Sequence, residues 1–192
     1  MIVLILGLVL FLGIHSVMIG AAGWRAVMVA RLGEGPWKGL YSLVAAVGLV
    51  LIVWGYGLAR QDPVVFWVSP TWLKHVAVAL NLVAFILFAA YRVPAGWIKA
   101  RLGHPMVLSV KVWAFAHLLA NGTLADVLLF GSFLVWAVAD FRSSVARDRA
   151  AGTVRIAGPP RNDLIAVAVG VVLWAAFVWF LHEWLFGVSP IA

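Results

Sequence analysis

Residues 40–59 read LYSLVAAVGLVLIVWGYGLA, twenty positions without a charge or a proline. A helix of that length rises about 30 Å, the thickness of a bilayer's hydrocarbon layer. The run is continuously apolar and lacks the every-second-residue alternation of a membrane barrel strand. Five further stretches share its character: residues 2–22, 72–91, a shorter one at 105–119, 122–139 and 164–186. The expected fold is therefore all-α, an integral membrane bundle of about six transmembrane helices forming a single domain over residues 1–192.

Composition agrees, because 65% of the residues are hydrophobic and 11% charged, with a mean hydropathy of +1.08. A water-soluble domain needs far more polar surface than that. The net charge of +7 suggests nucleic acid only until the basic residues are placed. They fall in loops beside the spans and form no basic face, so no nucleic-acid partner is expected. Arg25, Arg31, Lys38, Arg92, Lys99, Arg101, Arg142, Arg147, Arg149, Arg155 and Arg161 follow the odd-numbered spans, whereas Arg60 and Lys74 lie on the other side and Lys111 falls inside the fourth span. The positive-inside rule then puts both termini outside the cytoplasm. The first span has no Lys or Arg before it and basic residues after it, the reverse of a secretory signal's polarity, so it is expected to stay attached.

The connections are short except for residues 140–163, a charged stretch containing Gly158-Pro159-Pro160, read as an exposed and partly helical link. Asn121-Gly122 separates the fourth and fifth spans and suggests a tight turn with left-handed backbone between antiparallel helices. Trp24, Trp37, Trp67, Trp72, Trp97 and Trp184 near the span ends read as an interfacial belt. Gly13, Ser16, Gly20 and Gly23 form a small-residue stripe suited to close helix packing, or to a flat cofactor lying against it. No internal repeat supports an inverted-repeat transporter.

The absence of cysteine excludes disulfides, thiolate chemistry and iron–sulfur ligation. His-Glu-x-x-His, Gly-x-Ser-x-Gly and Walker motifs are also missing. Polar groups inside a bilayer are costly and mark candidate sites. Here they are His15, His75, His104, His117, His182, Lys111 and Asn121, with Glu183 beside His182. Histidines without thiolates or a helix-spaced carboxylate pair suit a haem iron better than a di-iron or zinc hydrolase site. His104 and His117 are thirteen residues apart and lie on different faces of one helix, whereas His104 and Lys111 share a face. With Arg101 those two make a basic corner that could meet a lipid phosphate or a haem propionate.

The segments Arg101-Leu-Gly-His-Pro-Met-Val-Leu, Trp113-Ala-Phe-Ala-His-Leu-Leu-Ala-Asn-Gly-Thr-Leu-Ala-Asp and Leu129-Phe-Gly-Ser-Phe closely resemble the signature half of the NnrU family. Phe11-Leu-Gly-Ile-His-Ser-Val resembles its first helix, and with length and span count the likeness covers essentially the whole chain. Gly103 is a departure, since the family often has Arg directly before His-Pro. The family is associated with denitrification, and its plant-type relative is the 15-cis-zeta-carotene isomerase, which carries haem b between two histidines. By motif position the resemblance assigns His15 and His117 as axial ligands of haem b. Helical rise places His15 about 10 Å from residue 22 but His117 about 18 Å from residue 105. A first helix continuing to Arg25 or Arg31 would remove most of that offset; otherwise His75 or His182 becomes a rival ligand.

The resemblance implies a multi-pass protein of the bacterial inner membrane acting on nitrite or nitric oxide by sensing, electron transfer or assistance to a reductase. A haem-dependent cis–trans isomerase of a carotenoid-like polyene is the alternative, with a pocket expected from Phe11, Phe85, Trp113 and Phe115. Arg-x-x-His-Pro also resembles the cofactor corner of membrane methyltransferases. Their downstream acidic pair is missing from Ala139-Asp140-Phe141-Arg142. A non-catalytic assembly or sensor protein stays open, and oligomeric state is not legible. Membrane lipid is the expected general partner.

Overall fold

In a computed structural model, described for residues 1–191, the chain is a row of packed helices with no β-strand among the described residues. Four helices are long and apolar enough to cross a membrane: α4 (Glu34–Ala59), α5 (Thr71–Arg92), α8 (Leu124–Ala150) and the run Pro160–Phe186. That last run comprises α9 (Pro160–Ala176), a π-helical turn (Phe177–Leu181) and α10 (His182–Phe186). Two apolar helices are shorter, α1 (Ile2–His15) and α7 (Pro105–Ala120). Three minor helices, α2 (Val17–Gly20), α3 (Ala22–Leu32) and α6 (Trp97–Leu102), lie between them. Packing runs α4–α1–α8–α7–α5–α9.

Long aliphatic side chains lie bare along the outside of the row. Val53 is 62% exposed, Val172 67% and Phe180 72%, a surface that only lipid tolerates. Trp24, Trp67, Trp72, Trp97 and Trp184 are likewise exposed, as a belt requires. Trp37 is instead buried, edge-on to Trp24 at 5.7 Å. The core joins Leu4 and Leu8 of α1, Ile52 and Ala59 of α4, and Ala125, Leu129 and Phe130 of α8.

The first helix is shorter than its sequence suggests. It stops at His15, because the Ser16 hydroxyl donates to the Leu12 carbonyl at 2.6 Å and Ser16 takes φ −83°, ψ −6°. A serine bonding back four residues competes with the helical ladder, and Gly20 with Ala21 at φ −139° interrupts it again. Helical pieces do reach Leu32, but not as one rod.

The small-residue stripe is also not where helices meet. A side chain built on Gly13, Gly20 or Gly23 would find nothing within 4 Å. The close approach is made elsewhere: a Cβ built on Gly7 would meet the Ile52 backbone at 2.6 Å, one on Gly48 the Phe11 backbone at 2.7 Å, and one on Gly55 would run into the Leu4 backbone. These bring α1 and α4 into backbone contact. Gly170 does the same for α9 against α5, since a Cβ built on it would meet the Ile86 backbone at 2.6 Å.

The Asn121-Gly122 turn is extended, not left-handed: Asn121 has φ −129°, ψ 135°, and positive φ occurs among the described residues only at Gly33, Gly103, Gly152 and Gly187. The α4–α5 loop imposes this. Phe66 N–H donates to the Gly122 carbonyl at 2.8 Å and Leu124 N–H to the Val64 carbonyl at 2.8 Å, around a Val65–Thr123 bridge. The charged link begins as helix, since α8 continues to Ala150.

Candidate functional site

His15 ends α1 and His117 lies in the last turn of α7. Each imidazole is held in the same way. His15 Nδ1 lies 2.6 Å from the Phe11 carbonyl and His117 Nδ1 2.8 Å from the Trp113 carbonyl, in both cases four residues earlier. A carbonyl can only accept, so Nδ1 carries a proton, and in the neutral imidazole Nε2 keeps a free lone pair. That is the tautomer a metal-ligating histidine presents.

Aromatic rings link the two. His15 lies 4.3 Å from Phe11, Phe11 5.7 Å from Phe133, Phe133 5.5 Å from Trp113, and Trp113 5.0 Å from His117. Phe130 stacks on His117 at 4.6 Å, while Tyr41 and Trp136 stand edge-on to His15 at 5.3 and 6.1 Å. His15 thus registers against residue 136 of α8 and His117 against residue 130, an offset of about 9 Å along that helix. The broken first helix leaves this offset in place, and rings rather than charges fill the interval.

Among the described residues no three His, Cys, Asp or Glu side chains come together to hold a metal ion. The chain therefore offers single imidazoles, and a haem iron takes only two protein ligands. Two imidazoles with Nε2 outside the Nδ1–carbonyl bonds and an uncharged aromatic lining fit such a group chemically. Of the rival histidines, His75 is exposed on α5. His182 bonds through Nδ1 to the Val188 carbonyl at 2.7 Å.

The basic corner contains an acid that spacing did not reveal. His104 Nε2 lies 2.6 Å from Asp148 Oδ2, and Arg155 donates to the same carboxylate oxygen. Asp148 lies beyond the apolar part of α8. There the Arg155 guanidinium and then His104 hold its carboxyl below the usual range. Arg155 also lies against Gly103, at φ +77°, where a side chain would meet its guanidinium at 2.9 Å. Lys111 faces the Phe141 ring at 5.9 Å, and Arg101 is exposed.

The four aromatics expected around a polyene do not form one pocket. Phe11 and Trp113 join the ladder, Phe85 packs on Phe177 at 5.2 Å, and Phe115 is 47% exposed on the outside.

The family model described as NnrU protein matches residues 3–190. The chain belongs to the NnrU family. No curated protein and no solved structure matches it. In this NnrU chain the signature run also contributes Asp126 to a pair that the sequence reading passed over. Tyr56 of α4 donates to Asp126 Oδ1 at 2.5 Å, and Asp126 is 4% exposed. Its other oxygen accepts from Thr123 N at 2.9 Å and Thr123 Oγ1 at 2.6 Å. Thr-x-x-Asp at a helix start is a capping-box spacing, and that signal was present in the sequence.

Proposed function

We propose that this protein is a haem b-binding, multi-pass protein of the bacterial inner membrane acting in nitrogen-oxide metabolism, with His15 and His117 as axial ligands. Family membership supports a denitrification-associated membrane protein in general terms. The observation that carries the ligand pair is the aromatic ladder joining two imidazoles that are each tied through Nδ1 to the carbonyl four residues earlier; His182 has an Nδ1–carbonyl bond as well, but stands outside that ladder. Haem so held supplies an iron for one-electron transfer or for binding a small nitrogen oxide.

The chain's own contribution is orientation and exclusion of water. The backbone carbonyls fix both rings, Phe130 and Phe11 limit their rotation, and Phe133 with Trp113 keeps the interval apolar. Arg101 and His104 are the side chains that would meet an anionic group at the basic corner, His104 in competition with Asp148. A carotenoid-like polyene isomerase is the second reading, favoured by the uncharged Phe11–Phe133–Trp113 wall between the imidazoles.

The topology belongs to the same proposal: six crossings with both termini outside the cytoplasm. The ends of α7 support it. At one end His104 meets Asp148 of α8, and at the other the Leu119 carbonyl accepts from Ser69 in the α4–α5 loop. The helix therefore runs between the two ends of the row despite its length.

Oxidised and reduced absorbance spectra after haem-supplemented expression test the ligand pair. Wild type should show low-spin haem, and His15→Ala or His117→Ala should lose haem or turn it high-spin, whereas His104→Ala should remain low-spin. Intact spectra in both ligand variants, with loss in His75→Ala or His182→Ala, would overturn the pair. A wild type without haem would overturn the cofactor.

A further inference from the structure

Asp126 is the only charged side chain that is buried among the described residues, and no lysine or arginine pairs with it there. Its partners are neutral: the Tyr56 hydroxyl on one oxygen, Thr123 on the other. A capping box does its work at an exposed helix start and needs no burial. A buried carboxylate is also no better for stability than apolar packing of the same volume. What it adds is direction. Tyr56 belongs to α4, so its bond ties that helix to the first turn of α8 at one angular setting. The loop after α4 pins the same turn, through the Leu124 N–H donating to the Val64 carbonyl at 2.8 Å.

Phe130 stands one turn along α8 from Asp126, on the same face. Its ring stacks on His117 at 4.6 Å with 27° between the planes, and it is itself held edge-on by Tyr56 at 6.4 Å and Trp113 at 5.2 Å. The rest of what holds His117 comes from its own end of the chain. Nδ1 bonds to the Trp113 carbonyl, and the His117 carbonyl accepts from the Asn121 backbone N–H and side-chain amide, each at 2.9 Å. The backbone of His117 is thus set by α7 and the face of its ring by α8. His15 meets α8 differently, with Trp136 edge-on at 6.1 Å.

We infer that Tyr56 is a positioning residue for His117, acting through Asp126 and Phe130. The Tyr56–Asp126 bond fixes the rotation of α8 about its axis, which keeps Phe130 flat against the imidazole. The stacked ring in turn holds Nδ1 on the Trp113 carbonyl and Nε2 in one direction. Side chains reach about 5–6 Å from a helix axis, so a slip of about 20° in α8 would carry Phe130 about 2 Å, enough to lose ring contact. The inference rests on the proposed role of His117 as a ligand for its consequence, because a ligating ring must be held in orientation by the groups around it.

The test uses haem-free full-length protein in lipid nanodiscs with ¹⁵N-labelled histidines, the His117 signal being the one that His117→Gln removes. Wild type should show His117 as a single Nδ1–H tautomer. Tyr56→Phe keeps the ring and removes only the hydroxyl. It should raise the Nε2–H form of His117 about fivefold, the equivalent of about 1 kcal/mol for one neutral hydrogen bond, and leave His15 unchanged. Phe130→Leu should give the same shift, and Tyr56→Phe added to it should add nothing. Trp174→Phe is the stability control, since it loses a comparable bond to the Val78 carbonyl between α9 and α5. Its melting temperature should fall about as far, with the His117 signal in place. A Tyr56→Phe protein that melts earlier yet keeps the single His117 tautomer would overturn the inference and leave Tyr56 a tie between helices. An additive effect in the Phe130→Leu background would overturn the route through Phe130. Once loaded with haem, Tyr56→Phe should gain a high-spin fraction that Trp174→Phe does not. A wild type that takes up no haem would sink the cofactor proposal alone, because the tautomer shift is read without it.

Discussion

A side chain on Gly122 would run into the Trp67 carbonyl and indole, which press on its Cα from the α4–α5 loop. Gly122→Val should therefore destabilise the protein by roughly 1–3 kcal/mol, the cost of overpacking, visible as a lower melting temperature in detergent. Unchanged melting would show that the loop contact is dispensable. Asn-Gly correctly marked a position only glycine can fill, yet for the wrong reason, since the φ is not positive and the constraint comes from a loop more than fifty residues earlier. Nothing local in a sequence encodes such a contact. The same limit hid Asp148 beside His104, whose 44-residue separation closes only when α7 and α8 pack. The imidazole geometry was half legible: an i−4 carbonyl is available to any helical histidine, but the rings between His15 and His117 come from three different helices.

At the scale of an element, apolar runs located every long helix, because the bilayer demands them whatever the tertiary structure. They did not say which small residues make contact. Gly13, Gly20 and Gly23 have the spacing of a packing face and leave a built Cβ in open space, whereas a Cβ on Gly48 or Gly55, seven residues apart, would run into the α1 backbone. The partner's position decides this, and periodicity carries no information about it. The two sets predict opposite outcomes. Gly48→Leu or Gly55→Leu should force α1 from α4 and lower the melting temperature by several degrees. Gly13→Ala and Gly20→Ala should leave it unchanged or raise it, because alanine favours a helix by up to about 1 kcal/mol over glycine. A reversed ranking in thermal melts of the four variants would mean that the stripe, and not the α1–α4 glycines, holds the bundle together.

For the whole molecule the number of crossings turns on α1 with 14 residues and α7 with 16, which rise only about 21 and 24 Å against about 30 Å of hydrocarbon. We propose that both traverse, on the strength of the contacts at the two ends of the row. One end gathers Arg147 with Met18, His104 with Asp148, and Asp163, whose carboxylate accepts from Trp97 N and Ile98 N at 2.7 and 2.9 Å. The other gathers Arg60 with the Phe186 carbonyl and Ser69 with the Leu119 carbonyl. The eleven loop arginines and lysines that follow the odd-numbered spans collect at the first end, which the positive-inside rule assigns to the cytoplasm. A reporter inserted near Ala150 should thus be cytoplasmic. Reporters at Met1 and after Ala192, the latter outside the described residues, should be external. A cytoplasmic Met1 fusion with an external carboxyl terminus would mean that α1 enters the bilayer without crossing it, leaving His15 on a re-entrant segment. A cytoplasmic carboxyl terminus would break the six-crossing arrangement altogether, because the contacts that set Asp163 beside α6 and Phe186 beside Arg60 require the last helix to run from one end of the row to the other.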